Sequence, residues 1–155
     1  MTITTHVSEL GNMKILGIPC VGLNNMGEKV GKAVKELMEL CQGLKSWNGK
    51  AWFGIFQPCP EEVENEELIY YVCIEVDSFN NDEEYPKGLS QIHILEQKYL
   101  VIQKGKEDSI RDVYGSLSSL LQENEKTQKI DQESYIIEIP EDEGWESVKV
   151  YIPIE

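Results

Sequence analysis

The feature that most constrains the fold of this chain is a repeated order of predicted elements. Strand, helix, strand, strand occurs once over residues 13–77 and again over residues 90–154. Each helix has one apolar stripe, which must be buried against another element. Both helices can therefore lie on one face of an antiparallel sheet, while the opposite face stays open or curved. The sequence predicts an α+β protein of two β-α-β-β modules in a single domain, residues 1–155.

The first module is preceded by a weakly alternating segment. Residues 3–10 alternate, and with the apolar segment 13–23 they predict a first hairpin. Asn25, with Glu28 three residues later, is the N-cap arrangement of a helix that ends near residue 43. Two strands follow, over residues 51–57 and 68–76. In the second of these strands, alternation predicts one set of side chains under the helices and the other set facing away: Tyr70, Val72, Ile74 and Val76 in the first set, and Ile69, Tyr71, Cys73 and Glu75 in the second.

The second module repeats this order and ends in a hairpin. A strand system over residues 92–103 precedes a helix that Asp108 or Ser109 would cap. Two runs of period-two apolar residues, 135–139 and 148–154, then flank a polar turn. Such runs are typical of two antiparallel strands.

One carboxylate falls on an apolar row of this hairpin. Glu133 precedes Tyr135 by two residues, so it is placed on the same side of the strand as Tyr135, Ile137 and Ile139. A carboxylate there must be protonated, paired or open to a cationic ligand, because an unpaired buried charge is costly. Glu133 is therefore a candidate ligand-binding acid. The alternative is an ordinary surface carboxylate or an ion pair, for which Lys149 across the hairpin is the candidate partner.

The charge of the chain favours some partners over others. It has 28 acidic and 14 basic side chains and a formal net charge of −14. This negative charge argues against direct nucleic-acid binding, because contacts to phosphates need clustered lysine and arginine. It suits cationic ligands better. A role in solubility alone would also explain the negative charge. No apolar run reaches the ~18 residues of a membrane span, and the polar N-terminus does not resemble a signal peptide. We expect a cytoplasmic protein with no membrane partner.

The cysteines and histidines indicate neither a metal site nor a cofactor. Four cysteines lie far apart and form no CxxC pair, so we interpret them as reduced apolar side chains. The two histidines have no further ligand at zinc-site spacing. We expect no metal, no cofactor and no assignable catalytic residue.

Several segments together resemble the gyrase-inhibitor-like (GyrI-like) effector-binding domains. This family includes the ligand-sensing halves of AraC-type and multidrug-responsive transcription activators, and also stand-alone, integron-associated proteins. The order and spacing of the segments carry the resemblance: Gly17-Ile18, residues 27–41, Pro86-Lys87-Gly88-Leu89, Lys98-Tyr99-Leu100-Val101-Ile102 with Lys104-Gly105, Asp131-Gln132-Glu133-Ser134-Tyr135, and Val150-Tyr151-Ile152-Pro153-Ile154.

The resemblance implies a pseudo-two-fold axis between the modules and a ligand cavity where they meet. It also implies that an acidic residue at the base of an aromatic cavity receives lipophilic cations. Glu133 and Tyr135 match the acid and the tyrosine of the family pattern, but Gln132 replaces its aromatic residue, so Glu138 is the alternative acid. The remaining candidate wall residues are strand aromatics, which singly are more often core or cross-strand partners and together are better evidence for a ligand site: Trp52, Phe56, Tyr71, Tyr99 and Tyr151.

Three functions follow as hypotheses. The first is a stand-alone effector-binding protein for amphipathic cations, with no DNA-reading helices of its own, so that any role in transcription regulation needs a separate protein partner. The second, less favoured, is a xenobiotic hydrolase in which Glu133 and Tyr135 or Tyr151 act as base and acid. The third is an acidic module that binds a basic protein through residues 61–67 and 81–84, which would otherwise be solvated loops.

Overall fold

A single antiparallel sheet organises the protein. The computed structural model describes residues 3–22, 25–45, 47, 49–57, 69–77, 87–122, 134–142 and 144–155. Within these residues there are eight strands and three helices: β1 Thr4–Leu10, β2 Met13–Val21, α1 Met26–Cys41, β3 Phe53–Phe56, β4 Ile69–Val76, β5 Ser90–Ile94, β6 Gln97–Lys104, α2 Ile110–Gly115, α3 Leu117–Gln122, β7 Ile136–Pro140 and β8 Val148–Pro153.

The strand order reveals two equivalent halves. Across the sheet the order is β1-β6-β8-β7-β3-β4-β2-β5, and all neighbours are antiparallel. Reading outward from the middle gives β3-β4-β2-β5 on one side and β7-β8-β6-β1 on the other. The halves are related by a pseudo-two-fold axis that passes between β3 and β7. The prediction of an α+β fold of two β-α-β-β modules is confirmed.

Both modules place their helices on the same face of the sheet, called here the helix face. Ala33, Leu37 and Cys41 recur every fourth residue along α1 and pack against alternate side chains of β2 and β4. Val113 of α2 packs in the same way on β6 and β8. The set predicted to lie under the helices, Tyr70, Val72, Ile74 and Val76, does so.

The second helix is interrupted where the sequence predicts continuity. Ser109 caps α2 through a capping box: its hydroxyl accepts a hydrogen bond from the Asp112 amide at 3.1 Å, and the Asp112 carboxylate accepts one from the Ser109 amide at 3.1 Å. This confirms Ser109 as the cap. The helix then stops at Ser116, and α3 begins one residue later.

One local prediction in the first part of the chain is wrong, and another is confirmed only in part. β1 and β2 do not form a hairpin, since β1 pairs with β6 while β2 pairs with β4 and β5. Asn25 is the N-cap residue of α1, as predicted, but its backbone is left-handed, with φ 56°, and its side chain makes no capping hydrogen bond. The largely apolar β4 pairs with one side of β2 and β5 pairs with the other, so long-range strand pairing overrides the local pattern.

The opposite, helix-free face is also buried, because the sheet curls. β5 lies at one edge and β6 next to the other, yet only Leu95 and Glu96 separate them in sequence. The curl brings Ile94 and Tyr99 into one apolar cluster with side chains from the middle of the sheet. Tyr135, Ile137 and Ile139 belong to this cluster, so the predicted row of the last hairpin faces away from the helices.

Several predictions concern residues outside the described part of the chain. Among these residues are Glu133, Cys59 and the acidic segments 61–67 and 81–84. The other three cysteines, Cys20, Cys41 and Cys73, are buried free thiols. Burial raises the pKa of the Cys41 thiol to about 11. No helix in the described ranges has both the length and the apolar character needed to cross a membrane.

Candidate functional site

A buried carboxylate lies where the two modules meet. Glu138 is on β7, directly opposite Gly54 of β3, and these two strands form the junction between the halves of the sheet. Its side chain points to the helix face, and only 9% of the residue is exposed. Glutamate is almost never this buried without a partner, so the groups around its carboxylate decide its state.

Two tyrosines from different modules hold this carboxylate. The Tyr70 hydroxyl of β4 donates to Oε1 at 2.9 Å, and the Tyr114 hydroxyl of α2 donates to Oε2 at 2.5 Å. Both donors are neutral, and no lysine or arginine in the described ranges forms an ion pair with Glu138. We call Glu138, Tyr70, Tyr114 and Gly54 the Glu138 site.

Gly54 allows Tyr70 to reach the carboxylate. A methyl group on Gly54 would collide with the hydroxyl and ring of Tyr70. Tyr70 pairs with Phe56 in the sheet, and its ring runs diagonally over Gly54 to the neighbouring strand. The absence of a side chain at position 54 is therefore a requirement of the site.

Burial and hydrogen bonding act on the pKa of Glu138 in opposite directions. Burial raises this pKa, since it penalises the ionised form, while the hydrogen bonds from Tyr114 and Tyr70 lower it. The net effect is a raised pKa. Burial, and then the Glu138 charge, raise the pKa values of both tyrosines, so their hydroxyls stay protonated and remain donors.

Aromatic rings flank the carboxylate on both sides along β3. Phe56 lies two residues beyond Gly54, and its ring contacts those of Tyr70 and Tyr114 at centroid distances of 5.8 and 6.0 Å. Trp52 lies two residues before Gly54 and stacks on Trp145 with centroids 4.5 Å apart. The negative faces of such rings attract organic cations.

The structure divides the sequence-predicted site residues between the two faces of the sheet. Trp52 and Phe56 lie on the helix face with Glu138. The four others form two edge-to-face pairs on the helix-free face: Tyr71 with Tyr135, and Tyr99 with Tyr151. Glu133 lies outside the described residues, and Glu138, the alternative acid, occupies the junction.

Among the described residues, two cavities lie on the helix-free face, and Glu138 lines neither of them. One, of about 310 Å³, is lined by Tyr99, Tyr135 and the β5–β6 turn. The other, of about 300 Å³, is lined by residues that include Met13, Phe53 and Glu75. No group of three or more potential metal ligands occurs among the residues that the structure describes.

Sequence reasoning missed three aromatic residues of the helix face. Tyr70, Tyr114 and Trp145 all carry a polar group on a ring, and the first two occupy positions where an apolar residue would fill the core. A buried tyrosine hydroxyl needs a partner, so a tyrosine in each apolar row was a signal for a shared polar atom. Only the strand order reveals that the two rows meet at Glu138.

Comparisons with known proteins identify the family of this chain and show which solved structures share its fold. A family model described as an integron-associated effector binding protein, Cass2, matches residues 6–154. No curated protein sequence matches the chain significantly.

Among solved structures, the C-terminal domain of EcmrR is 15% identical with a TM-score of 0.69, covering 100% of this chain and 99% of that domain. In the EcmrR–DNA complex this chain spans 58% of the EcmrR chain. The SAV2435 protein bound to tetraphenylphosphonium is 12% identical with a TM-score of 0.61, covering 98% and 94%. A hydrolase from Listeria innocua is 11% identical with a TM-score of 0.64, covering 97% and 91%. Likeness at these identities establishes a shared fold.

Proposed function

We propose that this chain, which belongs to the integron-associated effector binding protein family, binds amphipathic organic cations at the Glu138 site. Family membership supports a small-molecule-binding domain. The observation that carries the choice of ligand is a buried carboxylate whose two hydrogen-bond partners are both neutral. A cation that reaches it gains a charge interaction in a low-dielectric setting, and a neutral molecule of the same shape does not.

The surrounding rings suit the apolar part of such a ligand. Phe56, Tyr70 and Tyr114 form one wall, and Trp52 with Trp145 forms another. An aromatic face adds about 0.5 to 2 kcal/mol for each cation contact, and flat walls accept many outlines. That SAV2435 binds tetraphenylphosphonium on the same fold is consistent with this ligand class.

Binding requires a rearrangement at the carboxylate. Both oxygens already accept a hydroxyl, and the glutamate is buried, so a cation must displace Tyr114, Tyr70 or both. Tyr114 is the easier to move, because α2 has only six residues and helices of that length depend on packing for stability. The binding free energy is then the favourable charge interaction less the free energy lost with these hydrogen bonds.

Isothermal titration with two ions of one shape tests the proposal. Tetraphenylphosphonium and tetraphenylborate have the same outline and opposite charge. We expect binding of the cation only, and a loss of affinity of at least about tenfold in Glu138→Gln, in line with the cost of removing one partner of a buried charge pair. Glu39→Gln, an exposed change on α1, is the matched control. Equal binding of both ions, or an unaffected Glu138→Gln, contradicts the proposal.

Hydrolysis is the second candidate function. A carboxyl group with a raised pKa next to two tyrosine hydroxyls is an arrangement that can transfer protons, with Glu138 as base and a tyrosine as acid. One protein of the same fold is described as a hydrolase. Mass spectrometry of electrophilic esters and epoxides incubated with the protein would reveal turnover. Products that form equally with Glu138→Gln would exclude this site as their source.

A further inference from the structure

We propose that Trp52 and Trp145 form a ring clamp that opens to hold a flat aromatic cation beside Glu138, and so makes the site prefer flat over tetrahedral cations. The inference deepens the proposed function and rests on it. It concerns ligand shape, which the charge of Glu138 does not determine.

The two indoles belong to different modules and meet across the junction. Trp52 packs against the cluster under α1, and Trp145 packs against the cluster under α2. Their rings are stacked, with centroids 4.5 Å apart and planes inclined by 29°. Both are only partly buried, so the stack bridges the two helix-face clusters near the surface.

The clamp lies next to the carboxylate. Trp52 precedes Gly54 by two residues, which in an extended chain places it on the same face about 7 Å further along. Gly54 is directly opposite Glu138. A ring held between the indoles would therefore have its edge close to the carboxylate, where a ring nitrogen cation would lie.

The loop between β7 and β8 holds Trp145 in a conformation that its side chain disfavours. The φ of Trp145 is 58°, in the left-handed region, which is an outlier for a bulky residue. The Asp142 carboxylate accepts hydrogen bonds from the amides of Glu146 and Ser147 at 3.0 and 2.8 Å. Strain of this kind persists only where the surroundings impose it, and it is concentrated at ligand clamps and switches.

A buried lysine fixes the same loop from the side of the second module. The Lys104 ammonium donates to the Glu146 carbonyl, and also to the carbonyls of Gly105 and Asp108 at 3.1 and 2.7 Å. The backbone next to Trp145 is therefore anchored to the segment that precedes α2. The indole can swing away while its loop stays in place.

Stacking distance sets the preference for flat ligands. Aromatic carbons pack at about 3.5 to 4.0 Å, so a ring inserted between the indoles requires them to separate by only about one further ring thickness. A tetrahedral cation would have to force them much further apart and would contact each with a single ring. Such a ligand would rely on Phe56 and the two tyrosines instead.

The test compares N-methylacridinium, which is flat, with tetraphenylphosphonium in the full chain. We expect Trp145→Leu and Trp52→Leu each to lower N-methylacridinium affinity by about tenfold and tetraphenylphosphonium affinity by less than about threefold. Trp145→Phe, which keeps a ring, should recover most of the loss. Trp47→Leu, outside the clamp, is the matched control.

Circular dichroism supplies a second measurement that does not depend on the variants. Two stacked indoles give an exciton couplet, which N-methylacridinium should abolish in the unsubstituted protein and tetraphenylphosphonium should leave. Equal losses for both cations in the leucine variants, or a couplet that survives N-methylacridinium, overturn the clamp. If the clamp is overturned but tetraphenylphosphonium binding still depends on Glu138, the proposed function stands without the clamp. If neither cation binds, both proposals fail.

Discussion

At the scale of single residues, the protein keeps an acid where a core side chain would be expected. Glu138 shares the helix face of β7 with Ile136, and its neighbours are aromatic or aliphatic. Two hydroxyl donors lower the cost of its burial but do not cancel it, since its pKa remains raised. Such a residue stabilises the fold less than a neutral one would, which is expected of a group retained for binding.

The replacement Glu138→Gln should stabilise the protein at neutral and alkaline pH. Because the folded-state pKa of Glu138 is raised, the folded protein holds this proton more tightly, and stability falls as pH rises from the unfolded pKa of about 4.3 to the folded one. Each pKa unit of elevation corresponds to about 1.4 kcal/mol. Urea unfolding at pH 4 and pH 8 should show a gain for Glu138→Gln at pH 8 only. Glu39→Gln should change stability by less than about 0.5 kcal/mol at either pH.

Removing either tyrosine hydroxyl should move cation binding to higher pH. Both hydroxyls donate to the ionised carboxylate, so Tyr70→Phe or Tyr114→Phe raises the pKa of Glu138 further. One hydrogen bond of about 1 kcal/mol corresponds to roughly 0.5 to 1 pH unit. Titrations of tetraphenylphosphonium over a pH series should reveal this shift in the midpoint. Tyr151→Phe, on the helix-free face, should leave the midpoint unchanged, and an equal shift there would contradict the assignment.

At the scale of elements, β3 is short but central. It has four residues, pairs with β4 and β7, and places Gly54 between two aromatic side chains. The sequence alone did not identify Gly54 as a site residue, because a glycine in a strand pattern has several explanations. The last hairpin, by contrast, was predictable, since its alternation and turn are local. The partner of β1 was not, because β6 begins 87 residues after the end of β1.

The replacement Gly54→Ala should damage the fold and the site together. The added methyl group meets the Tyr70 ring, so either the ring leaves Glu138 or the strands separate. Overpacking of this kind costs about 1 to 3 kcal/mol. Gly31→Ala in α1, where a methyl group meets nothing within 4 Å, should instead stabilise the protein by up to about 1 kcal/mol. Urea unfolding of both variants measures the contrast, and a neutral Gly54→Ala would refute the requirement for glycine.

At the scale of the whole molecule, the two modules share one sheet. Ile55 and Ile137 are paired across the junction and are fully buried on the helix-free face, while Glu138 and Gly54 are paired on the other face. The sequence predicted the two modules and their common helix face, but not that the site's donors come one from each module. That arrangement depends on the sheet order, which no local pattern contains.

A shared junction should make the modules unfold as one unit. Ile55→Ala leaves a cavity in the cluster that both modules fill, and such truncations cost about 2 to 5 kcal/mol. Far-ultraviolet circular dichroism and tryptophan fluorescence should give coincident urea transitions in the parent protein and in Ile55→Ala. Val21→Ala, at an exposed position, should shift neither. Two separate transitions in Ile55→Ala would indicate modules that fold independently.

The tight turn between β5 and β6 bears on the tendency of the protein to self-associate. An open sheet offers unsatisfied amides and carbonyls along its flanks, and these invite other chains to add strands. The Leu95–Glu96 turn connects β5, one edge strand, to β6, the neighbour of the other edge strand, and so draws the two flanks of the sheet toward each other. Lengthening that turn would be expected to loosen the curl and promote self-association.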